Sequence, residues 1–138
     1  MLTKKAIYTI KELDFPEVNL QLKSNGIVYV LFKDNCNLDI PLQMQLLEYY
    51  RDITDNRLMP FMFFAGENVV LSKEARENAI KIEAQSMLGA TAMVVNNLAY
   101  KLICNFYLKF NQPKRPFQVF SREDEATKWL KKFEDLYY

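Results

Sequence analysis

Residues 59–83 read MPFMFFAGENVVLSKEARENAIKIE, and this stretch indicates how the rest of the chain is arranged. The run from Phe61 to Ala65 is apolar without alternation, as in a strand that is buried on both faces of a sheet. It stops at Gly66, and after a short loop Ser72 stands where a helix N-cap is expected. A strand, turn and helix in this order are typical of an α/β sheet, whose binding sites lie at the strand ends.

The residues before this stretch predict a β-hairpin. Residues 18–23 alternate apolar and polar side chains, residues 24–26 (Ser-Asn-Gly) suit a tight turn, and residues 27–32 return as a strand that is apolar on both faces. A further strand is expected at residues 6–10. The hairpin therefore forms the N-terminal part of the sheet, with residues 27–32 as its more central strand.

Helices are predicted wherever the apolar residues recur about every 3.6 positions. The first runs from a cap at Asp39 to Asp55 and places Gln43 toward water. Beyond residue 83, strands are predicted at 90–95 and 117–120, each followed by a helix. Strands separated by single helices imply right-handed crossovers and parallel pairing in this half of the sheet.

Composition narrows the classes of function. The chain has 138 residues, half of them hydrophobic, which fits one domain over residues 1–138 with a single core. Eighteen basic and seventeen acidic residues leave a net charge of +1, which argues against a dedicated nucleic-acid binder. No uninterrupted apolar run reaches the ~20 residues of a membrane span. The two separated cysteines, Cys36 and Cys104, suit reduced thiols, so we expect a cytoplasmic protein.

The chain lacks the residues of common catalytic sites. It has no histidine, which excludes a Ser-His-Asp triad, a Cys-His pair and every histidine-based metal site. With three glycines it has no Gly-rich phosphate loop. An enzyme would need an unexpected polar cluster at the strand ends near Gly66 and Asn96. We therefore expect a protein that is not an enzyme and that uses no cofactor and no metal.

Three short strings carry a family resemblance: FAGENVVLSKEAR at 64–76, FQVF at 117–120 and EDEATKWL at 123–130. With the order of elements, they resemble the SpoIIAA-like, or STAS-like, superfamily, and in particular its small single-domain bacterial proteins of unknown function. This resemblance implies an α/β fold with a mixed four- to five-stranded sheet, an N-terminal β-hairpin and flanking helices. It also implies binding of another protein or of a small ligand.

Ser72 is the residue that the resemblance singles out. Anti-sigma-factor antagonists of that superfamily carry an Asp-Ser-Ser-Gly-type string at this turn, and a partner kinase phosphorylates one of its serines. Here the string is Leu71-Ser72-Lys73-Glu74, in which the acidic residue before the serine, the second serine and the glycine are absent. A phosphate on Ser72 would be favoured by the helix N-terminus and opposed by Glu74. Ser72 is thus a candidate phosphorylation site or a helix cap, and cap preferences favour the second.

Two groups of side chains are candidate binding surfaces. The candidate anion-binding group comprises Lys109, Lys114, Arg115 and Arg122, which also suit the C-terminal end of a helix. The candidate apolar pocket or interface comprises Tyr100, Phe106, Tyr107 and Phe110.

From these surfaces we expect a regulatory or scaffold domain that acts through protein-protein contact. Its partner is of unknown identity, and a second copy of the chain, in a homodimer, is one candidate. The alternative is a carrier or sensor of a lipid-like or other apolar anionic small molecule. Such a ligand would lie between the helix at 98–110 and the sheet.

Overall fold

The computed structural model describes residues 6–110 and 113–136, and the side chains in these ranges other than those of residues 103, 106–110, 135 and 136. The strands are β1 Thr9–Asp14, β2 Val18–Lys23, β3 Val28–Phe32, β4 Met59–Ala65, β5 Leu88–Val94 and β6 Phe117–Phe120. The helices are α1 Ile40–Thr54, α2 Lys73–Ile82, α3 Leu98–Phe110 and α4 Glu123–Leu130. Short 3₁₀ turns follow α2 at Glu83–Gln85 and α4 at Lys131–Leu136.

The six strands form one mixed sheet in the order β1-β2-β3-β4-β5-β6. β1, β2 and β3 pair antiparallel, whereas β3 to β6 pair parallel through crossovers of one helix each. The α/β class and the N-terminal hairpin are thus confirmed. Among the described residues the sheet has six strands rather than the four to five that the family resemblance implied, and β1 lies at Thr9–Asp14 rather than at residues 6–10.

The core lies on both faces of the sheet because the strands β3 and β4 are buried on both sides. Phe61 packs with Tyr50 and Leu46 of α1 on one face. Met62, which points to the opposite face of β4, packs with Ala126 and other residues of α4 and β5. The non-alternating apolar run in β4 was the sequence signal for this arrangement.

Helix α1 begins and ends as its sequence predicts, but one of its side chains is not in the predicted environment. Asp39 is the N-cap, and its carboxylate accepts a hydrogen bond from the Leu42 N–H at 2.9 Å. Gln43, which we expected to face water, is buried with 6% of its surface exposed. Its amide donates to the Ala75 carbonyl at 2.8 Å and accepts from Asn78 at 2.9 Å. The small Ala75 lets α2 approach α1, and this contact between helices buries Gln43.

No helix among residues 6–110 and 113–136 is both long enough and apolar enough to cross a membrane.

Candidate functional site

Two neighbouring loops meet at the edge of the sheet where the parallel strands end. The loop after β3 spans residues 33–39 and the loop after β4 spans residues 66–72. An isolated parallel bridge joins them at Asn37 and Val70. We call them the paired loops, and they occupy the position at which α/β sheets hold their ligands.

Asp34 is the residue that fastens the paired loops. Its carboxylate accepts a hydrogen bond from the Glu67 N–H at 2.8 Å. The Asn35 N–H donates to the Glu67 carbonyl at 2.7 Å, and the Gly66 N–H donates to the Phe32 carbonyl at 2.7 Å. Gly66 comes so close to Asp34 that a side chain at this position would overlap it. The polar groups at this strand end therefore bind one another.

An open cavity of about 440 Å³ lies beside the first of the paired loops. Its lining includes the carboxylates of Glu17, Asp34 and Asp39 and the thiol-bearing Cys36. Cys36 is 3% exposed. Burial raises the pKa of its thiol, and the charges of Glu17 and Asp39 raise it further. Because a thiol with a raised pKa stays protonated at neutral pH, Cys36 is poorly suited to nucleophilic attack.

The polar residue that follows β5 at this edge also has a structural contact. At the end of β5, the Asn97 side chain accepts a hydrogen bond from the Ala99 N–H at 2.8 Å and so caps α3. Within the part of the chain that the structure describes, no three cysteine, aspartate or glutamate side chains are grouped so that they could hold a metal ion. Cys104 on α3 also has a thiol whose pKa is raised by burial.

Ser72 lies at the N-cap of α2. Its hydroxyl accepts a hydrogen bond from the Ala75 N–H at 3.1 Å, and Glu74 stands in the first turn of the helix. The side chain is exposed to solvent. A phosphate on Ser72 would use the oxygen that now caps the helix, and phosphorylation at this residue stays a prediction.

Replacing Ser72 with alanine should lower the free energy of unfolding by about 1 kcal/mol, because the Ala75 N–H loses its acceptor. Ser72→Asp should keep most of the stability, since aspartate is also a good N-cap. Urea denaturation of the three proteins measures both effects. Equal stability of the alanine variant and the native protein would show that the cap contributes nothing.

Within the described side chains of the candidate anion-binding group, Arg122 lies apart from Lys114 and Arg115. Arg115 precedes β6 and Arg122 follows it, which separates them by roughly 13 Å of strand. Arg122 donates two hydrogen bonds to the Asp124 carboxylate, at 3.0 and 2.8 Å. The side chain of Lys109 lies outside the described residues. Lys114 is exposed, and its main-chain N–H donates to the Glu83 carboxylate at 3.0 Å.

Arg115 binds main-chain carbonyl groups. One terminal nitrogen, Nη1, donates to the Ser86 carbonyl at 2.8 Å and to the Leu88 carbonyl at 3.1 Å. The other, Nη2, donates to the Ala84 carbonyl at 3.2 Å. This guanidinium group therefore fixes the loop before β6 to the connection between α2 and β5, a role that its sequence neighbours did not indicate.

Helix α3 exposes large apolar side chains at its start. Leu98 is 70% exposed, Tyr100 55% and Leu102 60%. Leu98 and Leu102 share one face of the helix, whereas Tyr100 lies on another. We call these three residues the α3 patch. Of the candidate aromatic residues only Tyr100 belongs to it, because the side chains of Phe106, Tyr107 and Phe110 lie outside the described residues.

The sequence pattern did not single out Leu98 and Leu102 as exposed. The helical spacing of apolar residues indicates which side chains share a face, but it does not show how closely that face approaches the sheet. In the structure α3 contacts β6, and Lys101 donates to the Ser121 hydroxyl at 3.0 Å, while the first turns of the helix stand in solvent.

A comparison with protein families gives a match over residues 20–134 to a family described as "Domain of unknown function (DUF7793)". No SpoIIAA-like or STAS-like family matches, so the assignment that we based on the strings at 64–76, 117–120 and 123–130 is wrong. Those strings describe a strand-turn-helix construction that unrelated α/β proteins share. Comparisons with curated proteins and with solved structures give no match.

Proposed function

The chain belongs to the DUF7793 family, and we propose that it is a non-enzymatic regulatory or scaffold domain that binds another protein through the α3 patch. The observation that supports this proposal most is the exposure of Leu98 and Leu102 on one face of α3, with Tyr100 exposed between them on another face. Single exposed leucines are common on protein surfaces, whereas clustered ones mark interaction sites.

The α3 patch has the chemistry of an interface centre. Covering apolar surface contributes roughly 25 cal/mol for each Å² removed from water, so burial of Leu98 and Leu102 against a partner favours binding. The cap at Asn97 and the bond from Lys101 to Ser121 hold the start of α3 in place, so the patch is presented on an ordered helix. A partner would then bind without first ordering this segment, which favours affinity.

A carrier of an apolar anion has less support. Arg115 of the candidate anion-binding group donates to three carbonyl groups. The cavity of about 440 Å³ lies beside the loop after β3, away from α3 where the carrier would hold its ligand, and its carboxylates Glu17, Asp34 and Asp39 disfavour an anionic head group. We keep the carrier as the alternative that the experiment below must separate from protein binding.

Two further parts of the proposal concern the cellular location and the oligomeric state of the protein. Cys36 and Cys104 are both free, which is in keeping with a reducing compartment, and we propose a cytoplasmic location. A homodimer is one form that protein contact can take.

The variant Leu98→Glu/Leu102→Glu should reduce capture of the protein partner at least tenfold. It places two charges in an interface that otherwise buries two leucines, and an unpaired buried charge is costly. Affinity purification from the native cells, with quantitative mass spectrometry of the captured proteins, measures the effect. Because both side chains are exposed, the free energy of unfolding should change by no more than about 0.5 kcal/mol for each substitution.

The matched control is Met44→Glu, which adds a charge at an apolar side chain on α1 that is 43% exposed. It should capture the same proteins as the native chain. Equal capture by the α3 variant and the control would contradict the proposed site. Native mass spectrometry of the gently purified protein tests the alternative, because a carrier would retain a reproducible small extra mass.

A further inference from the structure

The turn of the hairpin between β2 and β3 contains a chemically reactive pair of residues, Asn25 and Gly26. Asn25 is the only asparagine of the chain that a glycine follows. Asparagine is thermolabile, and a following glycine leaves its main-chain nitrogen accessible because it has no side chain. We infer that Asn25 is a site of spontaneous deamidation, and that a hydrogen bond to the Tyr29 hydroxyl restrains this reaction in the folded protein.

The reaction at Asn25 needs only water. The Gly26 nitrogen loses its proton to solvent and forms a bond to the Asn25 side-chain carbon Cγ, while the bond from Cγ to Nδ2 breaks and ammonia leaves. The product is a five-membered succinimide ring. One water molecule then opens this ring at either carbonyl group, which leaves aspartate or isoaspartate at this position. No oxidant or reductant is consumed.

In the folded protein both reacting groups are engaged in hydrogen bonds. The Gly26 N–H donates to the Lys23 carbonyl at 2.9 Å. The Asn25 amide is bound at both polar atoms, since Oδ1 accepts from the Ile27 N–H at 3.2 Å and Nδ2 donates to the Tyr29 hydroxyl at 2.9 Å. Cγ cannot turn toward the Gly26 nitrogen unless these bonds break. The folded turn should therefore react more slowly than the unfolded chain.

Tyr29 differs from the other partners of Asn25 because it lies outside the turn, in β3. Its side chain is 9% exposed, and its ring stacks on that of Phe64 in β4 with the centroids 6.2 Å apart. The Lys23 ammonium group lies 4.1 Å from the centroid of the same ring. The sheet thus fixes the hydroxyl in place, whereas the bonds of the Gly26 and Ile27 N–H groups depend on the turn itself.

Deamidation would change the hairpin at its turn. Isoaspartate carries the main chain through its side-chain carbon, which lengthens the turn by one atom. The Lys23 N–H now donates to the Ile27 carbonyl at 3.1 Å, and a longer turn no longer suits this bond. Because turn geometry fixes the register of a hairpin, the modified protein should be less stable than the native one.

Peptide mapping by mass spectrometry, after the full chain is incubated at mildly alkaline pH, tests the inference. The peptide that contains Asn25 should gain about 1 Da, and a methyltransferase specific for isoaspartate should label it. Tyr29→Phe removes only the hydroxyl group and should react at least threefold faster than the native protein. Tyr8→Phe is the matched control, because Tyr8 is 66% exposed and binds Ser24 of the turn through its main chain. It should react at the native rate.

The same proteins in urea give the rate without the fold. The native chain and Tyr29→Phe should then react at one common rate, faster than the folded native protein, because only the local sequence still matters. Asn68 is an internal control in every digest. The β-branched Val69 follows it and hinders attack, so the peptide that contains Asn68 should not change.

An unfolded chain that does not react at Asn25 would overturn the inference. Equal rates for the native protein with and without urea would also overturn it, and this comparison decides the matter even if Tyr29→Phe does not fold. Equal rates for the folded native protein and Tyr29→Phe, or an equal acceleration in Tyr8→Phe, would contradict the role of the Tyr29 hydroxyl.

Discussion

Replacing Gly66 with alanine is expected to lower the free energy of unfolding by about 2 to 3 kcal/mol. A Cβ atom at this position would overlap the Asp34 carboxylate and would stand only 2.8 Å from the Asp34 main-chain nitrogen. The carboxylate can rotate away, but the nitrogen cannot move without separating β3 from β4. Those strands pair up to Phe32 and Ala65, directly beside the clash. Urea denaturation measures the loss.

A double variant shows which atom of Asp34 causes the loss. In Asp34→Ala/Gly66→Ala the carboxylate is absent, yet the main-chain nitrogen remains. We therefore expect the double variant to be less stable than Asp34→Ala, by about the same amount as Gly66→Ala is less stable than the native protein. If the double variant were as stable as Asp34→Ala, the overlap with the carboxylate would be the whole effect and our account of the backbone would be wrong. Ala65→Ser, a small change at the exposed neighbouring residue, should leave the stability unchanged within about 0.5 kcal/mol.

Local signals were sufficient for most elements of the fold. The turn residues at 24–26 and the alternation in β2 predicted the hairpin, and Asp39 predicted the start of α1, because each depends on residues that are close in sequence. The boundaries of β1 were misplaced for a physical reason. Lys11 lies inside the strand, and its charge is accommodated by Asp52 of α1 at 2.8 Å, a contact between residues far apart in the sequence.

The candidate site was harder to predict because its contacts join distant parts of the chain. The bond from the Glu67 N–H to Asp34 joins two loops that only the parallel pairing of β3 and β4 brings together. The basic residues at 114, 115 and 122 are close in sequence, but β6 lies between them and places Arg122 at the opposite end of this strand from Lys114 and Arg115. Proximity in sequence is therefore a poor guide to a shared site wherever an extended strand intervenes.

Arg115→Ala should also lower the free energy of unfolding by about 2 to 3 kcal/mol. Hydrogen bonds from a charged donor contribute about 1.5 to 3 kcal/mol, and the guanidinium group donates to carbonyl groups of Ala84, Ser86 and Leu88. The expected loss of stability is smaller than the sum of the three hydrogen-bond contributions, because Arg115 is only half-buried and water can replace part of the lost bonds. Arg115→Lys should recover a minor part, since an ammonium group cannot reproduce the planar arrangement of donors. Thermal and urea denaturation measure both variants.

Lys114→Ala is the matched control, because it removes the same charge from the neighbouring residue. Its bond to Glu83 uses the main-chain N–H, which the substitution keeps, so the stability should change by less than about 0.5 kcal/mol. An anion site would give a different pattern. Added phosphate would stabilise the native protein by mass action, and both Lys114→Ala and Arg115→Ala would lose that gain. A phosphate-dependent gain that both variants lose would return these residues to ligand binding. A loss confined to Arg115→Ala, with or without phosphate, would instead mean that Arg115 holds β6 in position beside the helix that presents the α3 patch.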